Sequence, residues 1–140
     1  MSRPFRYFTR VRYQDCDSQH VVFNARYGDY LDLALTEFIG AAMPDRQPLD
    51  PGRFEIQVKK QVIEWSAPAR FQDVLEISTW VSRVGNSSFD VQFELRIAGK
   101  PDVLGIPMTP SGGGCAHHAM SQRCRRRVSR ARPTPLQPRP

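Results

Sequence analysis

A single stretch with helical periodicity stands among segments that alternate like β-strands. From Arg26 onward, apolar residues recur at three- and four-residue steps, which is the pattern of an amphipathic helix: Tyr27, Tyr30, Leu31, Ala34, Phe38, Ala41 and Ala42. Pro44 ends the pattern, because proline cannot continue a helix. One long helix with one apolar face needs a sheet to cover that face. This stretch therefore limits the possible folds more than any other.

The segments around the helix predict the strands of that sheet. Residues 5–13, 54–65, 74–84 and 89–97 alternate between apolar and polar side chains, and the last of them does so without exception. The alternation in 54–65 changes phase near Lys60, which predicts a bulge. An order of one strand, one helix and then three strands predicts an α+β fold, with an antiparallel sheet around one long helix.

The sequence changes character near its C-terminal end. A sheet of four strands would leave one edge without a partner, so we expect a fifth strand after residue 100, although residues 98–105 resemble a turn. Residues 110–140 contain seven arginines, no acidic residue and no aromatic residue. We therefore predict one domain over 1–109 and a disordered basic tail over 110–140. A reading-frame change near residues 100–110 is a hypothesis for this break.

Charge and cysteine content exclude several classes of protein. Residues 1–109 hold 13 Lys and Arg against 14 Asp and Glu, a balance of −1, so the net charge of +6 comes from the tail. No aromatic residue interleaves with the tail arginines, and no apolar run is long enough to span a membrane, so we expect neither a specific nucleic-acid partner nor a membrane. Three cysteines at unrelated spacings predict a cytoplasmic protein without disulfides or a metal site.

Residues 13–27, YQDCDSQHVVFNARY, place two carboxylates, an apolar run and a helix start close together. A carboxylate there can attack a carbonyl carbon or activate a water molecule, and free N–H groups in the first helical turn can polarise the carbonyl. The simpler interpretation is a connection in which an aspartate or Asn24 caps the helix. Spacing alone does not choose between these interpretations.

The longer stretch RYQDCDSQHVVFNARYGDYLDLA (12–34) resembles the signature of hotdog-fold acyl-CoA thioesterases of the 4-hydroxybenzoyl-CoA thioesterase type. The matching positions are Asp15, Asp17, Val22, Phe23, Tyr27 and residues 30–32. The resemblance implies a hotdog fold that hydrolyses an acyl- or aroyl-CoA thioester to the free acid and CoA without a cofactor. It also implies a homodimer or homotetramer, because hotdog active sites typically lie between two subunits.

The resemblance assigns roles to individual residues. It implies that Asp17 is the nucleophile or general base and that the backbone N–H of Asn24 polarises the thioester carbonyl. Apolar and aromatic neighbours would contact the acyl group of the substrate: Val21, Val22, Phe23 and Tyr27. Asp15 is expected to bond loop amides, and Glu37 on the helix is a reserve base.

The chain departs from the family pattern at three places. His20 occupies a position where many relatives carry glycine, and Val21 the position of their histidine. Arg83 is the single basic residue where the 4-hydroxybenzoyl-CoA type carries a basic cluster for CoA. The tail stands where relatives have a fifth strand. The alternatives are therefore a catalytically impaired hotdog-fold binding protein, or a hotdog hydratase or dehydratase.

Overall fold

The computed structural model describes residues 4–43, 57–58, 60–86, 88–108 and 113–114. These residues form one helix, α1 (Arg26–Ala42), and seven strands: β1 (Phe5–Arg10), β2 (Gln57–Val58), β3 (Glu64–Trp65), β4 (Val74–Val84), β5 (Phe89–Ile97), β6 (Val103–Met108) and β7 (Gly113–Gly114). A short 3₁₀ helix at Tyr13–Asp15 follows β1. The predicted helix is confirmed, and it ends just before Pro44.

Five strands form one antiparallel sheet in the order β1-β4-β5-β6-β3. β2 and β7 pair with each other in a separate two-stranded sheet. One helix with a mainly antiparallel sheet is the α+β arrangement that the order of apolar patterns predicted, so that prediction is confirmed.

The core lies between α1 and one face of the five-stranded sheet. The apolar stripe of the helix is buried: Tyr27, Tyr30, Leu31, Ala34, Leu35, Phe38 and Ile39. α1 packs on β1 and β4, where Phe38 lies with its ring centroid 5.8 Å from that of Phe5. Leu75 and Ile77 of β4 are fully buried beneath it. Full burial of each such side chain stabilises the fold by about 1.5–3 kcal/mol.

The prediction of one bulged strand over 54–65 is wrong for the residues described. β2 and β3 are separate, and residues 60–63 between them belong to no strand. β2 pairs with β7, whereas β3 pairs with β6. The change of phase near Lys60 marks the point where the chain passes from one pairing partner to the other. Side chains of a strand alternate between its two faces, so one continuous strand could not turn the apolar residues from before and after Lys60 toward the same sheet.

The expected fifth strand is β6, and it lies inside the sheet between β5 and β3. The turn predicted over 98–105 is shorter than expected, because β6 already begins at Val103. Gly99 provides the turn with a φ of +80°, a conformation that glycine adopts without steric cost. The carbonyl of Leu104 accepts hydrogen bonds from the N–H groups of Ser66 and Ala67, at 2.9 and 3.2 Å.

The two ends of the predicted domain also differ in detail from the sequence pattern. The first strand was predicted over 5–13 but ends at Arg10, because the Asp15 carboxylate accepts the Arg12 N–H at 2.9 Å and turns the chain. β7 lies beyond the predicted boundary at residue 109. Most of the predicted tail lies outside the described residues, so the boundary, the tail and the frame-change hypothesis stay predictions.

Candidate active site

The segment from Cys16 to Val22 is a small hairpin that closes on itself. Cys16 and Val22 form an antiparallel bridge, and the Asp17 N–H donates to the Val21 carbonyl at 2.9 Å. At the tip, the His20 N–H donates to the Asp17 carbonyl at 3.0 Å, and His20 has a φ of 60°. This left-handed conformation favours glycine, the residue that the resemblance places at this position. We call residues 16–22 the aspartate loop.

Asp17 is held by its own loop and remains partly open. Its Oδ1 accepts the Gln19 N–H at 2.8 Å and the Val21 N–H at 3.5 Å. Among the described residues, no donor reaches Oδ2 of this half-buried side chain. The amides therefore fix the orientation of the carboxylate while one oxygen is free for chemistry.

Asp15 has different surroundings from Asp17. Its side chain is buried, and its Oδ2 accepts the Tyr30 hydroxyl at 2.7 Å as well as the Arg12 N–H. Its carbonyl accepts the Phe23 N–H at 2.9 Å, so the expected bonding of Asp15 to the loop backbone is present. Burial, followed by the hydrogen bond to the carboxylate, raises the pKa of Tyr30. Asp15 thus joins the aspartate loop to α1.

The start of α1 presents open backbone donors. Ala25 is the N-cap and makes no side-chain capping bond, so the expectation that Asn24 itself caps the helix is wrong. Within the described part of the chain, the N–H groups of Asn24 and Ala25 have no acceptor. Both residues are exposed, and the positive end of the helix dipole lies here. This end of the helix can bind a developing negative charge.

The four predicted acyl-contacting residues separate into two pairs. Val21 is half-buried and Phe23 is 54% exposed, so both reach the surface beside Asp17. Val22 and Tyr27 are each 2% exposed and belong to the core. The Tyr27 hydroxyl accepts the Ala69 N–H at 3.0 Å, and burial raises its pKa. A substrate contact by either core residue would require this packing to open.

A cavity of about 340 Å³ lies on another side of the helix start. Its walls come from α1, from β5 and from the segment around β2, and they include Gly28, Leu31, Asp32, Leu35, Val58 and Phe93. The sequence did not predict this cavity, since the pattern placed Asp32 on the solvated side of the helix. Asp32 is indeed exposed, and it lines the cavity together with Asp29, Gln61 and the apolar residues. Glu37 is exposed and does not line the cavity.

Arg83, the residue that the resemblance relates to a basic cluster for CoA, forms an ion pair with a residue of the neighbouring strand. Its Nε donates to Asp90 Oδ2 at 2.6 Å and its Nη2 to Oδ1 at 3.2 Å. This two-pronged pairing raises the pKa of the Arg83 guanidinium. The guanidinium therefore links β4 to β5.

Comparison with known proteins identifies the family. The sequence model described as the thioesterase-like superfamily matches residues 11–132. The chain belongs to the thioesterase-like superfamily.

Relatives of this thioesterase-like chain agree with its fold. The acyl-CoA thioester hydrolase YbgC of Escherichia coli is 34% identical over 100 residues, which are 71% of this chain and 73% of the relative. The acyl-CoA thioesterase YbgC of Haemophilus influenzae is 31% identical over 94 residues, 66% of this chain and 68% of the relative. A hypothetical protein of Thermus thermophilus superimposes with a TM-score of 0.79 at 21% identity, over 91% of this chain and 98% of that one. The fold is the hotdog fold that the resemblance implied.

Two further properties concern only the part of this thioesterase-like chain that the structure describes. None of its helices combines the length and apolarity needed to cross a bilayer. Its His, Cys, Asp and Glu side chains form no group of three or more that could bind a metal ion.

Proposed function

We propose that this protein hydrolyses an acyl- or aroyl-CoA thioester to the free acid and CoA. One observation carries the proposal. The Asp17 carboxylate is oriented by two loop amides with one oxygen free, and it lies in the loop that leads into a helix N-terminus with open N–H groups. Thioester hydrolysis needs both components, an oxygen nucleophile or base and donors for the carbonyl oxygen. Family membership and the named activity of the E. coli relative support it.

Asp17 can act in either of two ways in this proposal. As nucleophile, its free oxygen attacks the thioester carbon, the thiolate of CoA leaves, and water then hydrolyses the mixed anhydride. As general base, it takes a proton from a water molecule that attacks the same carbon. In both routes negative charge develops on the carbonyl oxygen, where the Asn24 N–H donates with support from the helix dipole.

Two regions of the chain could receive the acyl group. Val21 and Phe23 provide a surface wall beside the loop, while Val22 and Tyr27 support that wall from the core. The cavity beside Leu31, Leu35 and Phe93 offers a deeper space on another side of the helix start. We assign the acyl contact to the wall formed by Val21 and Phe23, with Val22 and Tyr27 behind it.

The assembly and location belong to the same proposal. β3 is an edge strand; Trp65 within it is 46% exposed and Val62 just before it is 40% exposed, so a second copy can cover this face. We therefore propose a homodimer or homotetramer. Cys16 is a free thiol, which agrees with a cytoplasmic location.

The test is the release of free thiol from a panel of acyl- and aroyl-CoA substrates by the wild type and by Asp17→Asn. We expect the variant to lose about 100-fold or more in turnover, because the amide can neither attack nor accept a proton. Asp102→Asn is the matched control, since it removes an exposed carboxylate from the turn before β6. Both variants should keep the wild-type melting temperature.

Two results would contradict the proposal. Unchanged turnover in Asp17→Asn would remove Asp17 from the mechanism. A folded wild type that hydrolyses none of the panel would contradict the activity, and binding without turnover, or hydration of an enoyl-CoA, would then support the alternative functions.

A further inference from the structure

Two exposed aromatic rings and three arginines lie together where β1 ends and β4 begins. Tyr13 is 81% exposed and Phe71 is 49% exposed, and their rings meet edge to face with centroids 6.1 Å apart. Arg10, Arg12 and Arg70 are exposed beside them. We call these five residues the arginine–aromatic patch. Exposed aromatic side chains that lie together and are rimmed by polar residues mark a ligand-binding or interaction site.

Backbone hydrogen bonds fix the two halves of the patch to each other. The Val11 N–H donates to the Asp73 carbonyl at 2.9 Å, and the Gln72 N–H donates to the Val11 carbonyl at 3.2 Å. Arg10 Nη1 donates to the Gln72 carbonyl at 3.2 Å. The segment that carries Arg70 and Phe71 is therefore held against the end of β1, and the patch has a defined geometry.

The positive charge of the patch is not neutralised by ion pairs. Within the described residues, no carboxylate lies within 4.0 Å of the guanidinium of Arg10, Arg12 or Arg70. Two neighbouring acids bond to backbone instead: Asp73 Oδ2 accepts the Arg70 N–H at 2.8 Å, and Asp15 Oδ2 accepts the Arg12 N–H at 2.9 Å. Arg83, which the resemblance relates to a basic cluster for CoA, is paired with Asp90. The free guanidinium groups therefore lie at the opposite end of β4.

We propose that the arginine–aromatic patch binds the nucleotide end of the CoA substrate, an inference that rests on the proposed function. Guanidinium groups bind phosphate through paired hydrogen bonds, and exposed aromatic rings stack on purine bases. The adenosine of CoA carries a 3′-phosphate and a 5′-diphosphate, so it offers both one base and several phosphate charges. The base can stack on the two aromatic rings, and the phosphates can pair with the three guanidinium groups.

The patch also borders the aspartate loop. Arg70 forms an antiparallel bridge with Val21, and the Val22 N–H donates to the Ala69 carbonyl at 2.9 Å. Tyr13 and Asp17 are four residues apart, so their Cα atoms are separated by at most about 14 Å. An extended pantetheine arm is longer than this distance. A thioester at Asp17 can therefore have its nucleotide on the patch of the same subunit.

A direct measurement of ligand binding tests the proposal independently of catalysis. The probe is adenosine 3′,5′-bisphosphate, titrated calorimetrically into the full chain. We expect the double change Arg12→Gln with Arg70→Gln, and separately Tyr13→Leu with Phe71→Leu, to weaken binding at least tenfold. Apart from the contact between the two rings, these four side chains form no bond with another described residue, so the variants should fold. The matched control is Arg6→Gln with Lys100→Gln, which removes two charges elsewhere.

Kinetics provide the second arm. KM for the acyl-CoA should rise at least tenfold in the patch variants, while kcat/KM for the corresponding acyl-pantetheine, which lacks the nucleotide, should stay at the wild-type value. Equal weakening in the charge control, unchanged binding in the patch variants, or no binding of the probe to the wild type would each overturn the proposal. If the wild type hydrolyses no thioester, calorimetry still shows whether the patch binds the nucleotide, independently of the activity.

Discussion

Two aspartates that are two residues apart have opposite surroundings in this protein. Asp15 is buried and receives the Tyr30 hydroxyl and the Arg12 N–H on one oxygen. Asp17 is half-buried and keeps one oxygen free of donors among the described residues. A buried carboxylate that accepts a tyrosine hydroxyl stabilises a loop, whereas a more exposed one can react. The same side chain therefore serves different purposes because of what each backbone position places next to it.

Removal of the Tyr30 hydroxyl tests whether its hydrogen bond to Asp15 stabilises the fold. Tyr30→Phe should lower the free energy of unfolding at pH 7 by about 1–3 kcal/mol, because Asp15 loses a buried donor. Folding raises the pKa of Tyr30, so the unfolded chain releases this proton first as the pH rises. This contribution to the free energy of unfolding is complete below the unfolded pKa of about 10, and it is lost as the pH rises from there through the higher pKa of the folded state. Denaturant titrations between pH 7 and 11 measure both effects.

Tyr13→Phe is the matched control for that experiment. Tyr13 is 81% exposed, and its recorded contact is with a ring, which phenylalanine keeps. We expect this variant to keep the wild-type stability at pH 7 and the wild-type fall above pH 10. A Tyr30→Phe variant that behaves in the same way would show that the hydroxyl contributes nothing to stability.

At the scale of single residues, the sequence predicted which side chains are buried better than it predicted their hydrogen-bond partners. The spacing of Tyr27 and Tyr30 on the helix predicted that both are buried, and both are. It did not predict that one hydroxyl donates to Asp15 and the other accepts from Ala69. Helical periodicity gives the face on which a side chain lies, whereas the partner of its polar tip depends on loops that pack there from distant sequence positions.

At the scale of elements, regular alternation was a reliable guide where one face of a strand is buried. β4 and β5 match the predicted ranges 74–84 and 89–97. β6 was harder to place, because Gly105 and Pro107 weaken its strand pattern, yet it pairs on both sides within the sheet. Its partners β5 and β3 set its position, and that information is not local to residues 103–108.

Leu104 tests whether β6 is an essential part of the fold. Its side chain is 4% exposed, so Leu104→Ala should lower the free energy of unfolding by about 2–5 kcal/mol through lost burial and a residual cavity. Leu33→Ala is the matched control, because Leu33 is 48% exposed on α1 and alanine is an equally good helix former. It should change stability by no more than about 0.5 kcal/mol.

Chemical denaturation of both leucine variants provides the measurement. Equal stabilities for Leu104→Ala and the wild type would contradict the placement of β6 in the core. A loss in Leu33→Ala as large as that in Leu104→Ala would show instead that the exposed side of α1 is covered in solution.

At the scale of the whole molecule, the two edges of the large sheet are unlike each other. β1 is a six-residue edge, whereas β3 at the other edge has only two residues, of which Trp65 is exposed, and it follows the exposed Val62. Exposed apolar side chains at a sheet edge form a surface that a second subunit can cover. This asymmetry favours association through the β3 side.

Light scattering tests that association. We expect the wild type to be a dimer or tetramer and Val62→Lys to shift it toward monomer at equal concentration, because a charge would have to be buried in the interface. Tyr13→Lys is the control, since Tyr13 is also exposed but follows β1 at the far edge. A monomeric wild type, or equal dissociation in both variants, would contradict association through this edge.

The left-handed backbone at His20 has a consequence for how related loops are compared. Glycine adopts a φ near 60° without steric cost, and histidine is among the few other residues that tolerate it. The imidazole here is exposed at a hairpin tip and takes the place of a residue with no side chain. A comparison that matches residues by chemical type would align this histidine with a functional histidine one place further on. Alignment by backbone conformation instead assigns it to the glycine, so the histidine that such a comparison would count as retained is a change in how one turn is made, and Val21 follows it at the next position.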